Sequence, residues 1–300
     1  MTLVFSAARS TAISMTADSR VSNDFAGGRE YTRAHKLYVH EGAGAVAQWG
    51  ERVGPSFGDF LRNGPADLNS VDELATTVIH FLTECFRPME TESSDIGFHV
   101  GGFTQTGGAR LYHIFWGVRR PLAGRAGQQY EMSDHSPTAE APLQLVYNGR
   151  NDVADAMVQA LIRKIADGHS VPFDLRQASG MALLGNFIAR TASELTPEVG
   201  PPFSTAVVLP GNRVSVLDNE HLTPPHAEEL RSLLAAEGVG STLPVIGSPE
   251  LAASGTEFTP SPYSRGTVTI VHIEPNKPLQ PTRAAEPFGK REPSRSGPRG

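Results

Sequence analysis

Residues 1–20 read MTLVFSAARSTAISMTADSR. Residues 3–8 and 11–18 are dominated by small, β-branched and apolar side chains, broken by Arg9 and Ser10, so two consecutive strands are predicted. A strand that starts at residue 3 is notable, because chain ends are ordered only where something ties them to the core. Thr2 directly follows the initiator Met1. The reading of this stretch decides the fold, because it requires a core that buries the first residues of the chain.

Further along, a Gly-rich loop is predicted at 23–30 and a second strand pair at 35–40 and 43–49. A short helical piece is expected at 57–63. Ser70 and Glu73 form a capping box, and Val71, Leu74, Val78, Leu82 and Cys85 then make one apolar stripe that Pro88 ends. Strands are predicted at 96–103 and 109–118 around a QTGG turn, followed by a long polar stretch to about residue 141 and a strand at 143–147. Two helices follow. The first covers 152–167, with Val153, Met157, Leu161 and Ile165 at four-residue spacing and Gly168 as its stop. The second covers 175–195, with Asp174 as N-cap and a stripe including Met181, Leu184, Phe187 and Ile188. Strands at 205–209 and 213–217, joined by Pro-Gly-Asn, a helix at 225–237 and a strand at 267–273 complete the series. Strands in clusters and helices in clusters predict a layered α+β fold, with two sheets between two helical layers, rather than alternating βαβ units.

The formal net charge of −6 over 300 residues leaves no basic footprint for nucleic acid. Cys85 is the one cysteine, so no intrachain disulfide can form, which suits a reducing compartment. It reads as a small core residue. No apolar run nears the ~20 residues needed to cross a bilayer. The first residues lack a basic n-region, and Arg9 interrupts their apolar run, which argues against a signal peptide. A cytoplasmic protein is expected. Residues 274–300 contain six prolines and six Lys/Arg against three Glu, with almost nothing to bury, and are expected to be disordered. The expected division is therefore a main domain over 1–217, a helix, linker and strand over 218–273, and the tail.

Removal of Met1 would leave Thr2 with a hydroxyl nucleophile and its own α-amine as base. Such an amine has a reference pKa of about 7.7–8.0, so part of it is unprotonated at neutral pH. Such a site needs a nearby cation, an acid to orient that cation, and an N–H to receive the oxyanion.

At these positions the sequence resembles the proteasome β-type subunits, including the bacterial HslV-type peptidases, over about residues 2–217. Ala17-Asp18-Ser19-Arg20 stands sixteen residues after Thr2, Lys36-Leu37-Tyr38 follows, and Gly50 lies fourteen residues after Lys36 in AVAQWGER. The resemblance implies a four-layer αββα sandwich of the N-terminal-nucleophile hydrolase type. It implies that Thr2 attacks the scissile carbonyl, Lys36 lowers the pKa of its hydroxyl, Asp18 orients Lys36, and the Gly50 N–H holds the oxyanion. Asn148-Gly149-Arg150 departs from the Ser-Gly-Ser of that family, with Asn148 in place of the serine that touches the terminal amine. Residues 196–201, Thr-Pro-Glu-Val-Gly-Pro, depart from its Asp-x-x-Ser-Gly-Gly. By the same pattern Gln48 and Arg52 flank the substrate pocket, which implies a polar or acidic side chain before the cut.

The function implied is an N-terminal threonine peptidase inside a self-compartmentalised homo-oligomeric ring, acting on peptide or unfolded protein, with an ATPase partner inferred from the bacterial relatives alone. Two alternatives stand beside it: an inactive structural subunit, and a hydrolase of small amides. No cofactor, metal, nucleic acid or membrane is expected. GGFTQTGG lacks the Gly-Lys-Ser/Thr of a phosphate loop, no G-x-S-x-G elbow is present, and His221 to His226 reads as a helix start. His99 and His113 fall on adjacent strands and read as structural, lacking a third ligand at a sensible spacing.

Overall fold

The computed structural model describes residues 2–25, 28–50, 56–64, 67–85, 96–116, 130–166, 173–219, 258–260 and 267–270. The first hairpin is β1 (Leu3–Arg9) and β2 (Ala12–Asp18), followed by β3 (Arg20–Phe25), β4 (Gly28–Arg33), β5 (Leu37–His40) and β6 (Gly44–Gly50). Helices α1 (Phe57–Asn63) and α2 (Val71–His80) come next, and α2 runs into a π-helical turn at Phe81–Cys85. Strands β7 (Ile96–Phe103), β8 (Ala109–Trp116), β9 (Glu131–Asp134) and β10 (Leu143–Gly149) precede α3 (Asn151–Ala166) and α4 (Ala178–Leu195). Strands β11 (Phe203–Leu209), β12 (Arg213–Asn219), β13 (Phe258–Pro260) and β14 (Thr267–Ile270) complete the described chain.

Three antiparallel sheets result. One has seven strands in the order β12-β11-β2-β1-β10-β14-β13, one has five in the order β5-β6-β7-β8-β9, and the third is the β3–β4 hairpin. β1 and β2 are central strands and lose both faces to the core. Leu3, Phe5 and Ala7 point toward α4, where Met181, Leu184 and Ile188 meet them. Val4, Ala8, Ile13, Met15 and Ala17 point the other way, against Ala45, Ala47, Phe103 and Leu111 of the five-stranded sheet. The burial of the first residues therefore has a direct cause: the chain starts in the middle of a sheet. On the far face of the five-stranded sheet, Phe57, Leu74, Val78 and Phe81 cover Val46, Phe98 and Ile114.

The expected four-layer αββα sandwich is corrected. Antiparallel strand dominates the described residues, in three sheets rather than two, and the helical cover is sparse: the five-stranded sheet is overlain by the seven-residue α1 and the ten-residue α2. The extra strand comes from polar stretches. Across residues 23–30, where the sequence predicts a Gly-rich loop, β3 and β4 pair, with Arg20 opposite Arg33 and Phe25 opposite Gly28. β9 emerges inside the polar stretch before residue 141 and pairs with β8. These largely polar strands carry no apolar alternation, so the pattern that reveals a half-buried strand is missing.

Two smaller differences matter for packing. Asp174 does not cap α4. Gln177 is the N-cap, its side chain making no capping bond, and Asp174 Oδ1 accepts from the N–H and Nε of Arg176. Phe187 is 49 % exposed and meets Phe173, rather than lying in the buried stripe. The helix expected at 225–237, the tail, Pro88, Gly168 and Arg52 lie outside the described residues.

Candidate active site

Thr2 immediately precedes β1 and is 4 % exposed. Its carbonyl accepts from the Arg150 N–H at 3.0 Å. This approach depends on Gly149, whose φ is +102° and where an added Cβ would lie 1.5 Å from Thr2 O. A residue with a side chain has neither the space nor the backbone freedom to stand there.

Lys36 precedes β5, at the edge of the other sheet, and reaches back across the interface. Its Nζ donates to Thr2 Oγ1 at 3.0 Å and to Asp18 Oδ1 at 2.8 Å, and also to the Arg20 carbonyl. Three acceptors match the three hydrogens of an ammonium, so this arrangement is that of charged lysine. Asp18, at the end of β2, is equally saturated. Oδ1 accepts from Lys36 and from the Leu3 N–H at 3.0 Å, and Oδ2 from the N–H groups of Arg20 at 3.0 Å and Gly200 at 3.4 Å. Burial pushes the Asp18 carboxyl up, with Lys36 and these backbone N–H groups pulling against it. Burial likewise lowers the Lys36 ammonium, opposed by Asp18. A buried ion pair is tolerable when every lone pair and proton is satisfied in this way. The sequence-predicted residues Thr2, Asp18 and Lys36 therefore form one hydrogen-bonded group.

Gly50 ends β6 opposite Ile96, exposed and with φ +88°. The Gln48 N–H donates to the Lys36 carbonyl at 2.7 Å, which ties the end of β6 to the lysine. Gln48 is buried and its Oε1 accepts from the Tyr38 hydroxyl at 3.3 Å. Beside this edge lies an open groove of about 500 Å³, lined by His35, Tyr38, His40, Leu61 and Arg62. Asn148, opposite Val4, is buried, and its Oδ1 bonds His99 Nε2 at 2.7 Å.

Residues 196–201, which lack the expected acid and serine, still support the site. Gly200 supplies one N–H to Asp18 and its carbonyl accepts from Ser19 N–H at 3.3 Å. Arg20 Nη1 donates to the Pro197 carbonyl at 2.7 Å, and Glu198 pairs with Arg150 at 3.6 Å. Sequence reasoning misses Gly200 because its contribution is a backbone N–H, which no side-chain pattern encodes. It also misses Asn212 in the β11–β12 turn. Asn212 Oδ1 accepts from Phe103 N–H at 2.6 Å and its Nδ2 donates to the Gly42 and Phe103 carbonyls at 2.7 and 3.0 Å, stitching the two large sheets together. His99 and His113 do face each other, with ring centroids 5.2 Å apart. Among the described residues no group of three His, Cys, Asp or Glu could hold a metal ion. No helix of the described residues is long and apolar enough to cross a membrane.

No family model and no curated protein matches the chain. Among solved structures it is similar to Anbu (ancestral beta-subunit) from Yersinia bercovieri, at 14 % identity and TM-score 0.49, covering 81 % of this chain and 98 % of that one. It is also similar to the helical assembly of the Anbu complex from Pseudomonas aeruginosa, at 16 % identity and TM-score 0.48, covering 82 % and 98 %. A third is Thiobacillus denitrificans BPH in complex with epoxomicin, at 17 % identity and TM-score 0.39, covering 69 % and 98 %. The assignment to the proteasome β-type subunit family is thereby corrected. The similar structures named Anbu are proteasome-like but a distinct family. The physical reason is that Thr2, Asp18, Lys36 and Gly50 specify the geometry of a site rather than a family.

Proposed function

We propose that this chain is an N-terminal threonine peptidase. The observation that carries the reading is the 3.0 Å contact between Lys36 Nζ and Thr2 Oγ1, with the lysine held at 2.8 Å by buried Asp18. With Met1 removed, the α-amine of Thr2 takes the Oγ1 proton as Oγ1 bonds to the substrate carbonyl carbon. Lys36, an ammonium donating to Oγ1, lowers the cost of the developing alkoxide, and the Gly50 N–H receives the oxyanion. The carbonyl–nitrogen bond then breaks, the α-amine returns its proton to the departing amine, and an ester remains on Thr2. Water cleaves this ester by the same proton route, releasing the acid and restoring the hydroxyl. Asn148 orients the α-amine. Because the three hydrogens of Lys36 are already engaged, the amine rather than the lysine is the base.

Sequestration of the sites in a homo-oligomer that admits unfolded protein belongs to the same reading, and light scattering on the full chain tests it: a monomer would remove that part. A polar or acidic side chain before the cut belongs to the same reading, expected from Gln48 and Arg52. Substitution Arg52→Ala should then change the preference among acidic, polar and apolar fluorogenic peptides, and an unchanged profile would overturn it. For the chemistry itself, Thr2→Ala should abolish hydrolysis of every such peptide, whereas Thr2→Ser should retain it. Equal activity in Thr2→Ala would remove the mechanism.

A further inference from the structure

Behind Thr2, between the two large sheets, lies a buried histidine pair that the proposed chemistry does not use. His99 of β7 and His113 of β8 are cross-strand partners, 0 % and 2 % exposed, with their rings edge to face. Each holds a different side chain of the site. His99 Nε2 bonds Asn148 Oδ1 at 2.7 Å and its Nδ1 bonds Ser6 Oγ at 2.8 Å. His113 Nε2 accepts from Trp49 Nε1 at 3.2 Å, and Trp49 immediately precedes Gly50. The Trp49 ring lies over Gly97, where an added Cβ would stand 2.3 Å from it.

The donors and acceptors fix both rings. A carboxamide oxygen only accepts, so His99 carries its hydrogen on Nε2, and its Nδ1 accepts from the Ser6 hydroxyl. An indole N–H only donates, so Nε2 of His113 is bare and its hydrogen sits on Nδ1. That Nδ1 has no hydrogen-bond partner among the described residues. Two neighbouring histidines are thus held in opposite tautomers. Burial keeps both neutral, with His99 lowered to about 4 and His113 well below its ordinary value. Ser6, His99 and Asn148 do not make a second nucleophilic centre, because all three are buried away from any substrate.

We infer that this histidine pair is the positioning layer of the site, His99 setting which way the Asn148 carboxamide faces and His113 holding Trp49 beside Gly50. With its Oδ1 held by the Nε2–H of His99, the carboxamide turns over only if that ring changes tautomer, so Asn148 presents one polarity to its other neighbours while the hydrogen stays on Nε2. With the indole pinned by His113 and seated on Gly97, the end of β6 is held on the strand that follows it in the sheet. A site residue held by a partner of fixed protonation is placed more tightly than one left to rotate.

The part of this inference that concerns catalysis rests on the peptidase reading, and the test separates the two. The full chain labelled with 15N-histidine, examined by long-range 1H–15N correlation across neutral pH, should show His99 as the Nε2–H tautomer and His113 as the Nδ1–H tautomer. The same tautomer in both, or a fast-exchanging mixture in either, would overturn the inference, whether or not the protein is active. In the second arm, inactivation by an epoxyketone is timed by mass spectrometry. His99→Leu should slow covalent capture at saturating probe roughly ten-fold without weakening the binding constant, and His99→Gln, which keeps a donor and an acceptor, should restore most of the rate. An unchanged rate in His99→Leu would overturn the positioning role. No adduct on the unsubstituted chain would instead count against the peptidase reading, and a His99→Leu chain that fails to fold leaves the tautomer measurement to decide.

Discussion

Lys36 is one of the residues at which the two sheets meet chemically, and it alone spans Thr2 and Asp18 among the described residues, with one ammonium. Lys36→Ala leaves Asp18 buried with backbone donors alone. Removing one partner of a buried pair predicts a loss of about 3 kcal/mol, readable from a shifted urea midpoint. A loss under about 1 kcal/mol would mean that the backbone N–H groups suffice. The proposed chemistry also fixes a pH profile. The rate should rise as the Thr2 amine deprotonates, near its reference value of about 7.7–8.0. It should fall again where Lys36 loses its proton, and because burial lowers Lys36, that limb lies below the ordinary lysine value of about 10.4. A rate still climbing there would contradict a charged Lys36. Gly149→Ala should abolish capture of Thr2, since its Cβ would enter the Thr2 carbonyl. Thr2, Asp18 and Lys36 are reached in the sequence through the family resemblance that their spacings carry, and the structure brings the three within hydrogen-bond distance. Gly200 is not legible, because its backbone N–H has no side-chain signature, and neither is the His99–Asn148 bond, because sequence does not give how β7 of one sheet faces β10 of the other.

At the scale of elements, α4 carries the largest apolar contact with the sheet that begins at Thr2. Leu184, 2 % exposed and facing that sheet, predicts a loss of about 3 kcal/mol on substitution by Ala. A midpoint unchanged in urea would mean that α4 does not cover the sheet. The stripes of α2 and α4 and the buried strands β1, β2 and β7 are readable because periods near 3.6 and 2 survive wherever one side faces the core. β3, β4 and β9 are not readable, because their residues are largely polar and carry no apolar alternation. Phe187 shows the converse, an apolar residue that fits the stripe and still faces outward.

At the scale of the molecule, the site exists only while the two large sheets stay packed. Thr2 belongs to one and Lys36 borders the other, with Val4, Met15, Ala47 and Phe103 between them. Met15→Ala, far from the nucleophile in sequence, should therefore both lower stability by about 2–5 kcal/mol and slow capture of Thr2. Loss of stability with an unaltered capture rate would show that the site does not depend on the inter-sheet core. The clustering of strands and helices along the chain is legible. The number of sheets is not, since it depends on which polar strands pair. The central claim is that Thr2 becomes a free N-terminal nucleophile. Intact-protein mass spectrometry, before and after an N-terminal-threonine-directed epoxyketone, tests it most directly. The account predicts a chain lacking Met1 that gains one adduct mapped to Thr2, and a chain that retains Met1 would contradict it.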